Sequence, residues 1–198
     1  MKRNFFTDKR RVSKRLLNRL SRIMIVLAVS CVFHNTEAYG QQDLDEKYAK
    51  DLVAPGTMAP DITLQNPDGQ EVSLKDRRGK YVVIDFWASW CPDCLRDIPE
   101  VKALYNRYSE KGVEFLGVSF DTDASRWKEA IKKHAIPFPQ CSELKKMRES
   151  DVAKQYGVKW IPSLVIVDPD GKIALSTVQS YKIDSYLAEK VTETTVKK

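Results

Sequence analysis

Two cysteines separated by two residues, Cys91 and Cys94, have the type and spacing that most directly suggest chemistry in this chain. A thiol at the start of a helix meets unpaired backbone N–H groups and the positive end of the helix dipole, and both favour the thiolate. Two such sulfurs can close an internal disulfide and exchange it with a partner. The segment Cys91-Pro92-Asp93-Cys94 therefore predicts redox chemistry on thiols.

A zinc site is the main alternative, because paired cysteines also ligate metals. A structural zinc ion usually takes four ligands, yet the sequence has no second pair of this kind and no His-x3-His pair. Beyond residue 40, His134 and Cys141 are the remaining candidates, and both are distant from the motif. Leu95 follows Cys94 where covalent haem attachment would need histidine. The sequence favours redox chemistry and predicts neither a metal nor an organic cofactor.

The segments around the motif indicate a strand followed by a helix. Residues 81–86 form a near-continuous apolar run of strand length. Pro92 suits the first turn of a helix, where its missing N–H needs no partner. Apolar side chains then recur at helical spacing, at Cys94, Ile98, Val101, Leu104 and Tyr105. We expect Cys91 to face solvent and attack, and Cys94 to lie one turn in, shielded until a mixed disulfide forms.

Asp85 is a lone carboxylate inside the apolar run before the motif. Burial disfavours the charged form and would raise its pKa, which suits it to take a proton from a nearby thiol. The alternative is a structural carboxylate whose hydrogen bonds are satisfied.

Other apolar patterns predict an α/β protein with a central mixed sheet flanked by helices. Short runs predict strands, and wider stripes predict helices: strands at 62–64, 72–74, 115–118, 164–167 and 173–175, and helices near 127–134 and 183–187. The first two strands flank Asn66-Pro67-Asp68-Gly69, a hairpin signal.

Charge argues against nucleic-acid binding. The net charge is +6, but residues 1–40 hold nine of the 33 basic residues and two of the 27 acidic ones. The remainder holds 24 basic and 25 acidic residues, a net charge of −1. A basic surface for DNA or RNA is therefore not expected after residue 40.

The N-terminus has the order of a secretory signal peptide: basic residues, the short apolar run 23–33, then small residues. We expect cleavage after Gly40, a tether or short helix at 41–54 and one domain at 55–198, in the periplasm or outside the cell. The run has eleven residues, whereas a spanning helix needs about 20. A membrane tether would require an uncleaved leader or lipidation of Cys31, where Ala28-Val29-Ser30 is a weak lipobox.

Three segments resemble the thioredoxin superfamily. Residues 85–94, Asp-Phe-Trp-Ala-Ser-Trp-Cys-Pro-Asp-Cys, look like its active-site segment, and residues 156–163, Tyr-Gly-Val-Lys-Trp-Ile-Pro-Ser, look like its cis-proline segment. Residues 59–64, Ala-Pro-Asp-Ile-Thr-Leu, are similar to the N-terminal hairpin of the TlpA/ResA-like exported thiol–disulfide oxidoreductases. The resemblance covers roughly residues 55–190 and implies a thioredoxin fold with an added N-terminal β-hairpin.

The resemblance also assigns roles to residues. It makes Cys91 the attacking cysteine, Cys94 the resolving one and Asp85 the buried acid beneath it. Asp97 stands where members of the group carry an active-site Glu, although it could serve only to compensate the helix dipole.

The second matched segment implies a substrate groove. Pro162 matches the cis-proline and leaves the Ile161 backbone free to pair with an extended substrate. Trp90 and Trp160 would form apolar walls, with ordinary core aromatics as the alternative. Asp93 departs from the family dipeptides and places a negative charge near Cys91, which favours a more reducing couple.

The family resemblance further implies disulfide-containing protein substrates, apocytochrome c among the candidates, and a membrane thiol transporter as reductant. Two other functions stay open. A peroxiredoxin-like peroxidase shares the hairpin, but it generally wants Thr where this chain has Ala88. A non-catalytic binding module would keep the cysteines for stability alone.

Overall fold

A seven-stranded mixed sheet organises the computed structural model, which describes residues 43–196. Its elements follow the chain in this order: α1 (Asp45–Tyr48), β1 (Thr63–Gln65), β2 (Glu71–Ser73), β3 (Val82–Trp87), α2 (Pro92–Tyr108), β4 (Glu114–Ser119), α3 (Ala124–Lys133), β5 (Gln140–Ser142), α4 (Asp151–Tyr156), β6 (Ser163–Val167), β7 (Ile173–Thr177) and α5 (Ser180–Val196). The predicted signal peptide and the alternative of lipidation at Cys31 fall on residues outside this range.

The strand order is β2-β1-β5-β4-β3-β6-β7, with β3 next to the middle. β3 runs parallel to β4 and antiparallel to β6, and the hairpin β1–β2 joins the sheet through β5. All six residues of β3 are buried, which explains the near-continuous apolar run, because a strand covered on both faces has no solvent side. The predicted mixed α/β sheet and the thioredoxin fold are confirmed.

Two elements lack a clear sequence signal, β5 and α4. β5 has three residues, two of them polar, and both polar side chains are satisfied inside the sheet. Gln140 accepts a hydrogen bond from the Trp87 indole at 2.8 Å, and the Ser142 hydroxyl donates to the Ser119 carbonyl at 2.8 Å. A Cβ at Gly117 of β4 would overlap the Gln140 amide, so the glycine makes room for this contact.

Apolar side chains pack on both faces of the sheet. One cluster joins β3, β4 and β6 to α2 and α5, through Val83, Phe115, Leu164, Leu104 and Leu187. The other lies on the opposite face and includes Trp127 and Tyr156. Because side chains alternate along a strand, Asp85 points to the same face as Val83, the face that α2 and α5 cover.

The described chain begins with a segment fastened to the start of α5. The Asp45 carboxylate accepts hydrogen bonds from the Thr177 hydroxyl at 2.8 Å and the Val178 N–H at 2.8 Å. It also pairs with the Lys182 ammonium at 2.6 Å. Within residues 43–196, no helix combines the length and apolar character needed to cross a bilayer.

Candidate active site

The two cysteines lie where β3 gives way to α2, and they are joined as a disulfide with Cα atoms 5.3 Å apart. Cys91 is the N-cap of α2, and Pro92 occupies the first turn as predicted. The Cys91 sulfur accepts a hydrogen bond from the Cys94 N–H at 3.2 Å. The helix therefore aims one of its free N–H groups at the sulfur predicted to become the thiolate.

The prediction that Cys91 faces solvent is wrong for this oxidised form. Cys91 is 5% exposed and Cys94 is 2% exposed. The Cys91 sulfur lies 3.7 Å from the carbonyl oxygen of Ile161. The chain before Pro162 therefore covers the disulfide.

Ile161 of the cis-proline segment lies beside the disulfide, and two tryptophans that adjoin these segments in the sequence are exposed. The Ile161–Pro162 peptide bond is cis, as predicted. Trp90 is 58% exposed and Trp160 is 42% exposed, so neither is a core aromatic. The Trp160 ring stacks on Tyr48 of α1 with centroids 4.5 Å apart, a contact that the sequence does not announce.

A buried carboxylate, Asp121, holds the loop that leads from β3 to Cys91. Asp121 is 2% exposed and accepts hydrogen bonds from the Ser89 N–H at 2.9 Å and the Ser89 hydroxyl at 2.6 Å. The Ser119 hydroxyl donates to it at 2.7 Å. Sequence reasoning missed this residue, although a lone Asp directly after the apolar run of β4 is the same signal that identified Asp85.

Asp85 lies in the middle of β3, opposite Gly117 of β4 and Leu164 of β6. It is 6% exposed. Desolvation, and after it the negative charge of Asp97, raise its pKa to about 8. The carboxyl is therefore mostly protonated at neutral pH, yet close enough to its pKa to exchange a proton.

Asp97 is turned toward α5 and is only partly exposed. Its Oδ1 accepts a hydrogen bond from the Ser180 hydroxyl at 3.0 Å, and its Oδ2 is buried without a hydrogen-bond partner among the described residues. Desolvation raises the pKa of Asp97, the Ser180 hydrogen bond opposes this, and Glu100 adds to it. The negative charge of Asp97 acts on Asp85, and we call these two carboxyls the acid pair.

Asp93 does not stand alone at the start of α2. Arg96, one turn further, forms a salt bridge with it, and both side chains are well exposed. The cation offsets part of the negative charge that the sequence places near Cys91. Sequence reasoning missed this pairing, although an Asp and an Arg three residues apart on a helix are a recognised signal.

Cys141 lies in β5, far from this site along the chain and fully buried. Burial raises the pKa of its thiol to about 12, and the sulfur lies 3.5 Å from the Gly117 carbonyl oxygen. It is therefore an unreactive core thiol. In the described part of the chain, no three His, Cys, Asp or Glu side chains are grouped as metal ligands.

Comparison with known proteins gives a consistent result. The family model described as "AhpC/TSA family" matches residues 55–176. A protein named thiol-disulfide oxidoreductase ResA from Bacillus thuringiensis subsp. konkukian is 31% identical over 157 residues, which cover 79% of this chain and 86% of the relative. The protein of the same name from Geobacillus thermodenitrificans is 34% identical over 124 residues, which cover 63% and 69%.

Solved structures agree with these relatives. The thioredoxin domain of a thiol-disulfide oxidoreductase from Bacteroides vulgatus is 33% identical with a TM-score of 0.62, over 68% of this chain and 98% of that one. A thiol:disulfide interchange protein from Bacteroides sp. is 34% identical with a TM-score of 0.64, over 71% and 91%.

The burial of Asp85 predicts a pH-dependent stability. Between roughly pH 4 and 8 the folded state keeps the Asp85 proton that the unfolded chain releases, so stability falls as pH rises through this window. Between pH 5 and pH 8 the free energy of unfolding of the wild type should fall by on the order of 4 kcal/mol. Asp85→Asn should lack this fall.

The measurement is urea unfolding of both oxidised proteins at pH 5 and pH 8. Asp170→Asn, at an exposed carboxylate in a turn, is the matched control and should keep the wild-type slope. Equal slopes for Asp85→Asn and wild type would contradict the assignment.

Proposed function

This chain belongs to the AhpC/TSA family and, within it, to the ResA-like thiol–disulfide oxidoreductases, and we propose that it reduces or exchanges disulfides of exported proteins through Cys91 and Cys94. The observation that carries the proposal is the position of this redox pair at the start of α2, the helix that also carries Asp97, whose negative charge acts on the buried Asp85. The helix start serves the first step of a two-step exchange, and the carboxyls serve the second.

In the first step the Cys91 thiolate attacks one sulfur of a substrate disulfide. A bond forms between Cys91 and that sulfur, and the other substrate sulfur leaves as a thiolate. The Cys94 N–H, which points at the Cys91 sulfur at 3.2 Å, stabilises the attacking anion. This step needs no proton acceptor if Cys91 is already ionised.

In the second step Cys94 resolves the mixed disulfide. Its thiol loses a proton to the acid pair, and the resulting thiolate attacks the Cys91 sulfur. The bond between Cys91 and the substrate sulfur breaks, and that sulfur leaves as a thiolate with the electron pair, so two electrons have passed from the dithiol to the substrate. The product is the Cys91–Cys94 disulfide of this structure. The acceptor is the ionised fraction of the acid pair, and for Asp85, whose pKa is about 8, that fraction grows as pH rises toward 8.

The surface beside the disulfide supports an extended protein substrate. Trp90, which directly precedes Cys91, and Trp160, which directly precedes Ile161, both expose apolar rings. Ile161 and Pro162 provide the neighbouring backbone, and the Ile161 carbonyl already contacts the Cys91 sulfur. We assign these four residues to the substrate groove, with Pro162 lacking an N–H that would compete for the sulfur.

Export of the protein is part of the proposal and rests on the leader pattern of residues 1–40. Export would place the cysteines where disulfides persist, so a dedicated membrane thiol reductant would have to return electrons to them. The N-terminal peptide of the exported protein, identified by mass spectrometry, should begin at Gln41. A lipid-modified Cys31 at the N-terminus would contradict cleavage at Gly40 and place the protein on a membrane.

Substituting the two cysteines separately should give opposite results. Cys94→Ser cannot resolve the mixed disulfide and should accumulate covalent complexes with substrate proteins through Cys91. Cys91→Ser should trap almost none, and Cys141→Ser, at the buried thiol, should behave as wild type. Non-reducing gels of alkylated samples measure this. Faster labelling of Cys94 than Cys91 at neutral pH in the reduced protein would reverse the two roles.

The exposed pair Asp93 and Arg96 should tune the potential in opposite directions. Asp93→Asn removes an anion near the Cys91 thiolate and should raise the reduction potential, whereas Arg96→Gln leaves that anion unpaired and should lower it. We expect shifts of roughly 5–20 mV around a reducing value, nearer about −270 mV than about −120 mV. Glutathione redox titration measures both. A wild-type value above about −180 mV would make the protein an oxidant or isomerase.

A further inference from the structure

Ser180, the first residue of α5, contacts Asp97 of the acid pair from a helix that carries none of the residues predicted for the site. Its hydroxyl donates to Asp97 Oδ1 at 3.0 Å and so bridges the two helices that cover this face of the sheet. The sequence marks Ser180 only as a residue before an apolar stripe, and neither the motifs nor the relatives' names give it a role.

The two oxygens of Asp97 have different surroundings. Oδ1 accepts the Ser180 hydroxyl, whereas Oδ2 is buried with no hydrogen-bond partner in the part of the chain that the structure describes. A buried acceptor without a partner is costly, and native structures rarely keep one without a use. A proton on Oδ2 would remove that cost.

A nearby charge also favours a proton on Asp97, because Glu100 lies one turn along α2 and raises the pKa of Asp97. On α5, the Lys182 ammonium is engaged by Asp43 at 2.7 Å and Asp45 at 2.6 Å. The side chains that act on Asp97 are therefore the Glu100 carboxylate, which favours the protonated form, and the Ser180 hydroxyl, which stabilises the ionised form.

We propose that Ser180 is a positioning residue for the second step: its hydroxyl holds Asp97 Oδ1 and leaves Oδ2 as the proton-accepting atom of the acid pair. The proton of Cys94 passes to the pair, the new thiolate bonds to the Cys91 sulfur, and the substrate thiolate leaves. Both electrons come from the dithiol, so no further reactant is required. The inference rests on the proposed function.

The start of α5 is held independently of Ser180. Asp45 binds the Thr177 hydroxyl and the Val178 N–H, and the Gln179 N–H donates to the Thr177 hydroxyl at 3.0 Å. Gln179 also donates to Asp43 at 2.9 Å. Ser180→Ala therefore removes a hydroxyl without releasing the helix, which makes a chemical test possible.

The test follows the two steps separately. Reduced full-length protein is mixed with a fluorescent peptide disulfide between pH 5 and 10, and rapid mixing resolves formation of the mixed disulfide from release of the second peptide thiol. Without its donor, Asp97 should ionise at higher pH. In Ser180→Ala the half-maximal pH of the second phase should rise by about half a unit to one unit, and the rate below the wild-type half-maximal pH should fall roughly three- to tenfold.

The controls separate positioning from general damage. Ser180→Thr keeps the hydroxyl and should restore the wild-type profile. Ser185→Ala, which removes a serine hydroxyl bonded only to the Tyr181 carbonyl of the same helix, should leave both phases unchanged. The first phase should be unchanged in all three variants. A Ser180→Ala profile that overlays wild type, or one in which both phases slow equally, would overturn the proposal.

Failure of this inference can be told from failure of the proposed function. If Asp97→Asn slows the second phase and Ser180→Ala does not, only the role of Ser180 is wrong. If neither Asp85→Asn nor Asp97→Asn affects the second phase, the acid pair is not the proton acceptor, and the function itself needs revision at that step.

Discussion

The burial of one carboxyl in the central strand is the constraint around which this site is organised. A carboxylate loses most of its solvation inside an apolar sheet, so Asp85 is held neutral until pH approaches 8. Asp97 strengthens the effect by placing a negative charge nearby.

Polar contacts rather than apolar packing fix the geometry around the sulfurs. Asp121 fastens the loop before Cys91 through Ser89, and Ser180 fastens Asp97 from the far helix. Buried hydrogen bonds of this kind depend on direction, so they specify one arrangement where apolar contacts would permit several. The apolar clusters supply stability, and the polar contacts supply the precision that exchange between sulfurs requires.

Sequence patterns gave the parts of the site that are local. Cys91, Pro92 and Cys94 announce a capped helix start, Asp85 interrupts an apolar strand, and residues 156–163 resemble a known segment. The prediction that Cys91 faces solvent was wrong, because its sulfur packs against the Ile161 carbonyl, seventy residues away along the chain.

Contacts between distant segments account for what the sequence did not reveal. Ser180 and Asp97 lie on different helices, and Tyr48 meets Trp160 from the far end of the described chain. β5 could not be predicted, because it is short and mostly polar. Its polar side chains are satisfied only by residues of other strands, Trp87 and Ser119. These features arise only when the chain folds.

The same sheet links three residues that are far apart in the sequence. Trp87 ends β3 next to the cysteine loop, its indole depends on Gln140, and Gln140 fits only because position 117 has no side chain. In an evolving lineage these positions cannot drift separately: a side chain at position 117 displaces the amide, and the tryptophan then loses its acceptor. Trp87, Gly117 and Gln140 should therefore be inherited or replaced together, as one covarying unit behind the active-site loop.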